Sequence, residues 1–273
     1  RFRLFRHIYN PRSVVAAMSC GYFSNFWTST ETYEALKIYM DMDFDGLRSD
    51  IVRMLGGEHV RINTLSFQND MHTFKTKDDV LTLLIHLGYL AYDAESKEAF
   101  IPNKEIIGEF ENAMSVGGWS EIMRILKSSE KLLEDTLRCD AKSVAEGLDK
   151  AHAEVASILT YNDENSLGCA IGLAYYSARK DYKIIRELPA GCGFADIVFL
   201  PLPSAGKPAL VIELKYDKTA DTALQQIKDR RYAQALEGYC GEILLVGVNY
   251  DKDNRNKPHN CVIEKLVYGI DHK

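Results

Sequence analysis

The chain has 273 residues, of which 46% are hydrophobic and 26% are charged, and its formal net charge is −6 at pH 7. This length allows one large domain or two ordinary ones, with enough apolar content for a globular core. No apolar run approaches the roughly 18 residues of a membrane-spanning helix, so no membrane association is expected. The negative charge argues against broad nonspecific binding of nucleic acid, although it leaves room for a local basic groove.

The first part of the sequence predicts a mainly helical module with a small hairpin. Asp78 and Asp79 favour a helix start because acidic side chains complement the helix dipole, and Gly88 favours a stop. Helices followed by a two-stranded wing are typical of a winged-helix-like module, which we assign to residues 1–116. The predicted elements are helices over 11–40, 44–55, 80–88 and 105–114, a short strand over 59–63 and a hairpin over 89–101.

The second part, residues 117–273, follows a glycine pair and has the alternating order of an α/β domain. A helix, three strands, a helix and a further strand come in succession, and this order is typical of a mixed sheet covered by helices. Helices, in the plural, are predicted over 119–159, single helices over 164–180 and 219–236, and strands over 182–187, 193–200, 208–216, 242–249 and 261–268.

Two of these predicted strands carry charged residues where apolar residues are expected. Asp196 precedes an apolar run, and Glu213 and Lys215 end another. Charged side chains are almost never fully buried unless they are paired or bind a metal. The turn-forming segment Pro201–Pro208 predicts a hairpin that brings Asp196 beside Glu213 and Lys215, which point to the same face because strand side chains alternate.

This combination predicts metal-assisted hydrolysis of phosphodiesters. Mg²⁺ prefers oxygen ligands and keeps several waters, and we expect Asp196, Glu213 and the backbone carbonyl of Leu214 to supply them. Lys215 is placed to orient or deprotonate a water, or to offset charge in the transition state. Glu164, on the preceding helix, is a candidate for a third carboxylate.

The helix that follows these strands adds further candidates. Gln225 or Gln226 is in a position to hydrogen-bond the site or the substrate backbone, and we select Gln225 as the site residue. The basic residues Lys228 and Arg231 are candidates for contact with phosphates of a nucleic acid.

Each candidate also has a purely structural interpretation. Asp196 fits a turn aspartate satisfied by backbone amides, and Glu213 with Lys215 fits an exposed, alternating strand edge. Glu164 fits a helix-start glutamate favoured by the dipole. The basic run fits a solvated helix face.

The order Asp196, then Glu213-Leu-Lys215, with Glu164 upstream, resembles the PD-(D/E)XK nuclease superfamily. Alanine rather than proline precedes Asp196, at a position away from the chemistry. The resemblance implies a restriction-endonuclease-like mixed sheet flanked by helices, and divalent-metal-dependent cleavage of nucleic acid with Mg²⁺ or Mn²⁺, with DNA as the favoured substrate.

The resemblance extends to a bacterial group in which this nuclease domain follows an AAA-ATPase-like region. It implies that residues 1–116 correspond to the end of that region and that an N-terminal ATPase-like part precedes them. The sequence contains no GxxxxGK[ST] phosphate loop, so we expect no ATPase activity from it. The matching segments are 161–165, 193–199, 208–215 and 225–232 in the second half, and 9–13, 25–27 and 81–89 in the first.

Two functions from different classes follow from these observations. The first is a metal-dependent nuclease that hydrolyses DNA phosphodiester bonds. The alternative is a catalytically inactive module that binds nucleic acid or protein, with a vestigial site regulated by the ATPase-like part. The six cysteines form no CxxC pair, so they are interpreted as reduced thiols of a cytoplasmic protein, and a homo-oligomer is left open.

Overall fold

A computed structural model gives the fold of the protein. Contacts between Cα atoms divide the chain into two compact units, one of residues Arg1–Met54 with His59–Ser120 and the other of Leu55–Glu58 with Glu121–Lys273. Within the described residues, no helix combines the length and apolar content needed to cross a membrane. The structure describes residues 15, 18–21, 32–42, 44–67, 74–116, 118–156, 158, 164–190, 193–216, 219–229, 236, 241–250 and 258–267.

The first unit combines helices with a small sheet in which β3 lies between β1 and β2, both antiparallel to it. Its winged-helix-like character and the domain boundary after residue 116 stay predictions. The described helices are α1 (Thr32–Met40), α2 (Leu47–Leu55), α3 (Lys77–His86) and α4 (Lys104–Ser115), and the strands are β1 (Val60–Arg61), β2 (Ala91–Asp93) and β3 (Glu98–Phe100).

The start of α3 is held by one buried carboxylate. Thr76 and Asp79 form a capping box, in which each side chain accepts a hydrogen bond from the backbone of the other. The Asp79 carboxylate also accepts from Ser66 Oγ at 2.9 Å and from the Lys75 amide at 2.9 Å. Burial raises the pKa of Asp79, but the hydrogen bonds from Lys75, Ser66 and Thr76 outweigh it and leave the pKa below its ordinary value.

The second unit is built on a five-stranded mixed sheet with the order β4-β5-β6-β7-β8. All neighbouring strands are antiparallel except β6 and β7, which are parallel and are joined through α8. The helices are α5 (Ser120–Leu137), α6 (Ala141–Ala156), α7 (Glu164–Ala174) and α8 (Ala220–Asp229), and the strands are β4 (Tyr182–Ala190), β5 (Gly193–Pro201), β6 (Ala209–Tyr216), β7 (Glu242–Tyr250) and β8 (His259–Val267).

Helices cover both faces of this sheet. On one face, Leu224 and Ile227 of α8 join a buried cluster with Val198 and Val211 of the strands. On the other face, α7 and α6 approach the sheet. There the ring of Tyr175, which directly follows α7, lies 5.4 Å from that of Phe199, and the ring of His152 lies 4.7 Å from that of Tyr250.

The predicted fold class is confirmed as a mixed α/β sheet flanked by helices, consistent with a restriction-endonuclease-like fold. The predicted helices within 119–159 are α5 and α6, which are separated at Cys139, where a φ of 58° interrupts the helical backbone. The helix expected over 164–180 ends at Ala174 and continues as a short 3₁₀ turn, Tyr176–Lys180.

The capping carboxylate of α3 generates a stability prediction. We expect Asp79→Asn to lower the free energy of unfolding at pH 7 by about 2 kcal/mol, because neighbouring N–H groups lose a charged acceptor. The lowered pKa means that this stabilisation is complete above the unfolded-state value, about 4, and is lost as the pH falls through the folded-state value. The difference between the two proteins therefore shrinks on acidification.

Urea denaturation followed by circular dichroism at pH 7 and pH 3 measures this difference. The control is Glu105→Gln, which changes an exposed acid in the first turn of α4 and is expected to alter stability little. Equal urea midpoints for the wild type and Asp79→Asn at pH 7 would contradict the assignment.

Candidate active site

The register of β5 and β6 places two carboxylates on the same face of the sheet. Val198 pairs with Val211, and the described pairing ends at Ile197 with Ile212. Asp196 lies one residue before Ile197 and Glu213 lies one residue beyond Ile212. Side chains alternate along a strand, so both carboxylates continue the face of Val198 and Val211, which is the face covered by α8.

The Asp196 side chain contacts the backbone of β6 where the described pairing of β5 with β6 ends. Its Oδ2 atom accepts a hydrogen bond from the Leu214 amide at 2.7 Å. The carboxylate thereby contacts the backbone between Glu213 and Lys215, the two charged residues of β6. A carboxylate has about four lone-pair positions, so this bond leaves oxygen capacity for a further ligand.

Glu213 is fully buried, with 0% of its surface exposed, near the end of the central strand. Its Oε1 atom accepts a hydrogen bond from Lys215 Nζ at 2.7 Å, and the same oxygen accepts from Gln226 Nε2 of α8. The Lys215 side chain is itself only 16% exposed. The site is therefore a mostly buried carboxylate–ammonium pair completed by an amide from the neighbouring helix.

Burial makes this pairing obligatory. An ionised carboxylate removed from water is strongly disfavoured unless an opposite charge and hydrogen bonds compensate it. Lys215 can supply that charge because residues two apart on a strand point to the same side. Removing the ammonium alone leaves an uncompensated buried charge, whereas removing both charges does not.

The close approach of α8 depends on a glycine in β7. Gly247 lies beside Glu213 in the parallel pair, and a Cβ atom placed on it would lie 2.4 Å from the Ala220 carbonyl oxygen and 2.9 Å from the Leu224 amide nitrogen. Both atoms belong to the backbone of α8, so they cannot yield as a flexible side chain would. The missing side chain therefore lets α8 lie close enough for Gln226 to reach Glu213.

The remaining predicted residues lie around this centre in different ways. Gln225, the glutamine selected from the sequence, is exposed on α8, and Gln226 is the one that contacts Glu213. Lys228 is on the surface of the same helix and pairs with Glu264 of β8 at 2.6 Å.

Two further predicted residues are only partly described or not described. Glu164 is the first residue of α7, and its side chain lies outside the described part of the chain. Arg231 lies wholly outside the described residues.

Three residues of this neighbourhood were missed or passed over in the sequence. Gly247 and Asn249 interrupt an apolar run in β7, and both lie beside charged residues of β6, Glu213 and Lys215 respectively. A glycine inside a buried strand often marks a close backbone approach, and a buried asparagine is a polar group that requires a partner. The sequence therefore contained signals for Gly247 and Asn249, but it contained none that favoured Gln226 over Gln225.

The donor set is compatible with a small divalent cation. Asp196 and Glu213 offer carboxylate oxygens from neighbouring strands. Leu214 directly follows Glu213, and its amide donates a hydrogen bond to Asp196. Mg²⁺ often takes only one or two protein carboxylates and retains its waters. Among the described residues, no group of three or more His, Cys, Asp or Glu side chains is arranged to hold a metal.

Comparison with protein families finds a similarity within the second unit. Residues 163–260 match the family model described as the PD-(D/E)XK nuclease superfamily, and this range contains β4 to β7, α7 and α8. No curated protein sequence matches the chain. The family match does not reach the first unit, so the resemblance to an AAA-ATPase-like region stays a prediction. The second unit thus contains a segment similar to PD-(D/E)XK nucleases.

Proposed function

We propose that this protein is a divalent-metal-dependent nuclease that hydrolyses DNA phosphodiester bonds. The observation that carries the proposal is the buried Glu213 carboxylate, which lies on one face of the sheet with Asp196 and is paired with Lys215. The match of residues 163–260 to the nuclease superfamily supports it independently.

In this proposal, Asp196, Glu213 and the Leu214 carbonyl hold Mg²⁺ or Mn²⁺. The cation supplies Lewis-acid chemistry, polarising the phosphate and making water a better nucleophile. Lys215 holds the attacking water or offsets the negative charge of the transition state through its ammonium.

The outer residues complete the proposed site. Glu164 adds a carboxylate from the start of α7, and a glutamine of α8 fixes the orientation of Glu213. Lys228 and Arg231 contact the phosphates of the nucleic acid. The ion pair between Lys228 and Glu264 would have to exchange for a phosphate contact, and exposed ion pairs of this kind are weak.

Two specific observations favour a second candidate, an inactive binding module. Glu213 already has an internal counter-ion, and one oxygen of Asp196 is bonded to a backbone amide. The charge of Glu213 is therefore compensated without any metal. Titration with Mn²⁺ separates the candidates, because a vestigial site takes up no cation in a manner dependent on Glu213.

The first unit is assigned a regulatory part in the same proposal. As a winged-helix-like module resembling the end of an ATPase-like region, it would couple an upstream nucleotide-dependent part to the nuclease. The cytoplasmic location and a homo-oligomeric state stay predictions.

The cleavage prediction uses Asp196→Asn. The variant retains an oxygen for the Leu214 amide, so the fold is expected to persist, but it loses a carboxylate. With Mg²⁺ or Mn²⁺ we expect the wild type to cut plasmid or single-stranded DNA, and the variant to be slower by about 100-fold or more. Gel assays with DNA and RNA, with and without EDTA, measure this. Undiminished cleavage by the variant would exclude the assigned role.

The ion pair gives a stability prediction that is separate from activity. Lys215→Met should lower the free energy of unfolding by about 3–5 kcal/mol, because it leaves Glu213 charged and buried. Adding Glu213→Gln should recover most of that loss without restoring cleavage. Denaturant titration of the single and double variants provides the measurement, and a Lys215→Met protein as stable as the wild type would refute the buried pair.

The two neighbouring glutamines of α8 form a matched pair. The sequence favours Gln225 and the geometry favours Gln226. We expect Gln226→Ala to slow cleavage about 10-fold, since partners that orient a metal ligand typically contribute 10–100-fold, and Gln225→Ala to have the smaller effect. Rates measured at saturating Mn²⁺ decide between them, and a larger loss in Gln225→Ala would favour the sequence-based choice.

A further inference from the structure

Asn249 is a buried polar residue at the candidate site that the proposed mechanism has not used. It is the penultimate residue of β7, pairs with Lys215 in the parallel ladder, and is 7% exposed. Neighbouring parallel strands lie about 4.8 Å apart. The Asn249 side chain therefore starts one strand away from that of Lys215.

Asn249 and Lys215 lie on the same face of the sheet. Paired residues of parallel strands share a face, and residues two apart on one strand do so as well. The Cβ direction of Gly247 leads into α8, as its close approach to Ala220 and Leu224 shows. Asn249, two residues further on, is consequently on the α8 side, as Glu213 and Lys215 are.

The amide oxygen of Asn249 has an unmet requirement. In the part of the chain that the structure describes, its Oδ1 atom is buried and has no hydrogen-bond partner. A buried acceptor without a donor costs about 1–3 kcal/mol, so native proteins rarely keep one without a reason. Asn249 Oδ1 therefore requires a hydrogen-bond donor that does not contact it in the described part of the structure.

Lys215 has the donors that Asn249 lacks. An ammonium carries three N–H groups, and one of them is given to Glu213 Oε1. A divalent cation bound to the Glu213 carboxylate would repel the Lys215 ammonium, because both are positively charged. Lys215 then needs another acceptor that its flexible side chain can reach. Only 16% of that side chain is exposed to solvent.

We propose that Asn249 is a positioning residue whose Oδ1 atom receives the Lys215 ammonium when a divalent cation takes over the Glu213 carboxylate. This rests on the proposed nuclease function and deepens it. Lys215 has two positions, one on Glu213 without metal and one on Asn249 with metal. Asn249 thereby lowers the cost of metal binding and keeps the ammonium at the site.

The measurable consequence is a change in metal affinity that depends on Lys215. In Asn249→Leu, which has similar volume but no acceptor, the ammonium stays on Glu213 and competes with the cation. We expect calorimetry with Mn²⁺ to show about 10-fold weaker binding, at the lower end of the loss typical of a positioning partner of a metal site. Asn249→Thr restores an acceptor oxygen and should bind within about twofold of the wild type.

A double-mutant cycle separates positioning from packing. In a Lys215→Met background there is no ammonium to receive, so Asn249→Leu should leave Mn²⁺ affinity unchanged. Asn260→Leu is the matched control, because it makes the same substitution at an exposed position one strand further from Lys215, and it should not alter the affinity. If Lys215→Met does not fold, the contrast between Asn249→Leu and Asn249→Thr decides.

The outcomes distinguish this inference from the nuclease proposal. The role of Asn249 alone is overturned if the wild type binds Mn²⁺ and cleaves DNA while Asn249→Leu has unchanged Mn²⁺ affinity. It is also overturned if Asn249→Leu weakens Mn²⁺ binding equally with Lys215 and with Met at position 215. Equal losses in Asn249→Leu and Asn249→Thr also overturn it. Wild type that takes up no Mn²⁺ overturns both proposals. The proposal that Lys215 has two positions is supported if Mn²⁺ binding is weaker in Asn249→Leu but not in Asn249→Thr, and if this difference disappears in the Lys215→Met background.

Discussion

A negative charge buried near the end of the central strand constrains everything around it. Glu213 is fully excluded from solvent, and its ionised form is tolerated because Lys215 and Gln226 reach its Oε1 atom. The Lys215 ammonium reaches Glu213 because residues two apart on a strand lie on the same face, and the Gln226 amide reaches it from α8. Gly247 lets that helix approach, because any side chain there would collide with the helix backbone.

The same constraint connects stability to the proposed chemistry. The buried Glu213 carboxylate needs a positive charge beside it, which is either the Lys215 ammonium or a metal from solution, and these two positive charges repel each other. Asp196 is held beside this centre by the Leu214 amide, so the second carboxylate does not depend on the ion pair for its position. Both carboxylates are therefore held by contacts within the chain.

Much of this was predictable because strands and turns are encoded locally. The apolar run that follows Asp196 and the run that precedes Glu213 and Lys215 predicted buried strands that carry charged residues, and the turn residues 201–208 predicted the antiparallel pairing of β5 with β6. The choice of glutamine was not predictable in the same way. Gln225 and Gln226 are neighbours with identical side chains, and only the rotation of α8 about its axis determines which one meets Glu213.

The sequence by itself determined the α/β order of the second unit, the presence of two acidic residues and a lysine in neighbouring strands, and the resemblance to PD-(D/E)XK nucleases, because periodicity and turn chemistry act over a few residues. The tertiary structure decided that β6 lies next to β7, and hence that Gly247 and Asn249 lie beside Glu213 and Lys215. Those residues are more than thirty positions apart in the chain, and their pairing arises from the parallel crossover through α8, which no local pattern specifies.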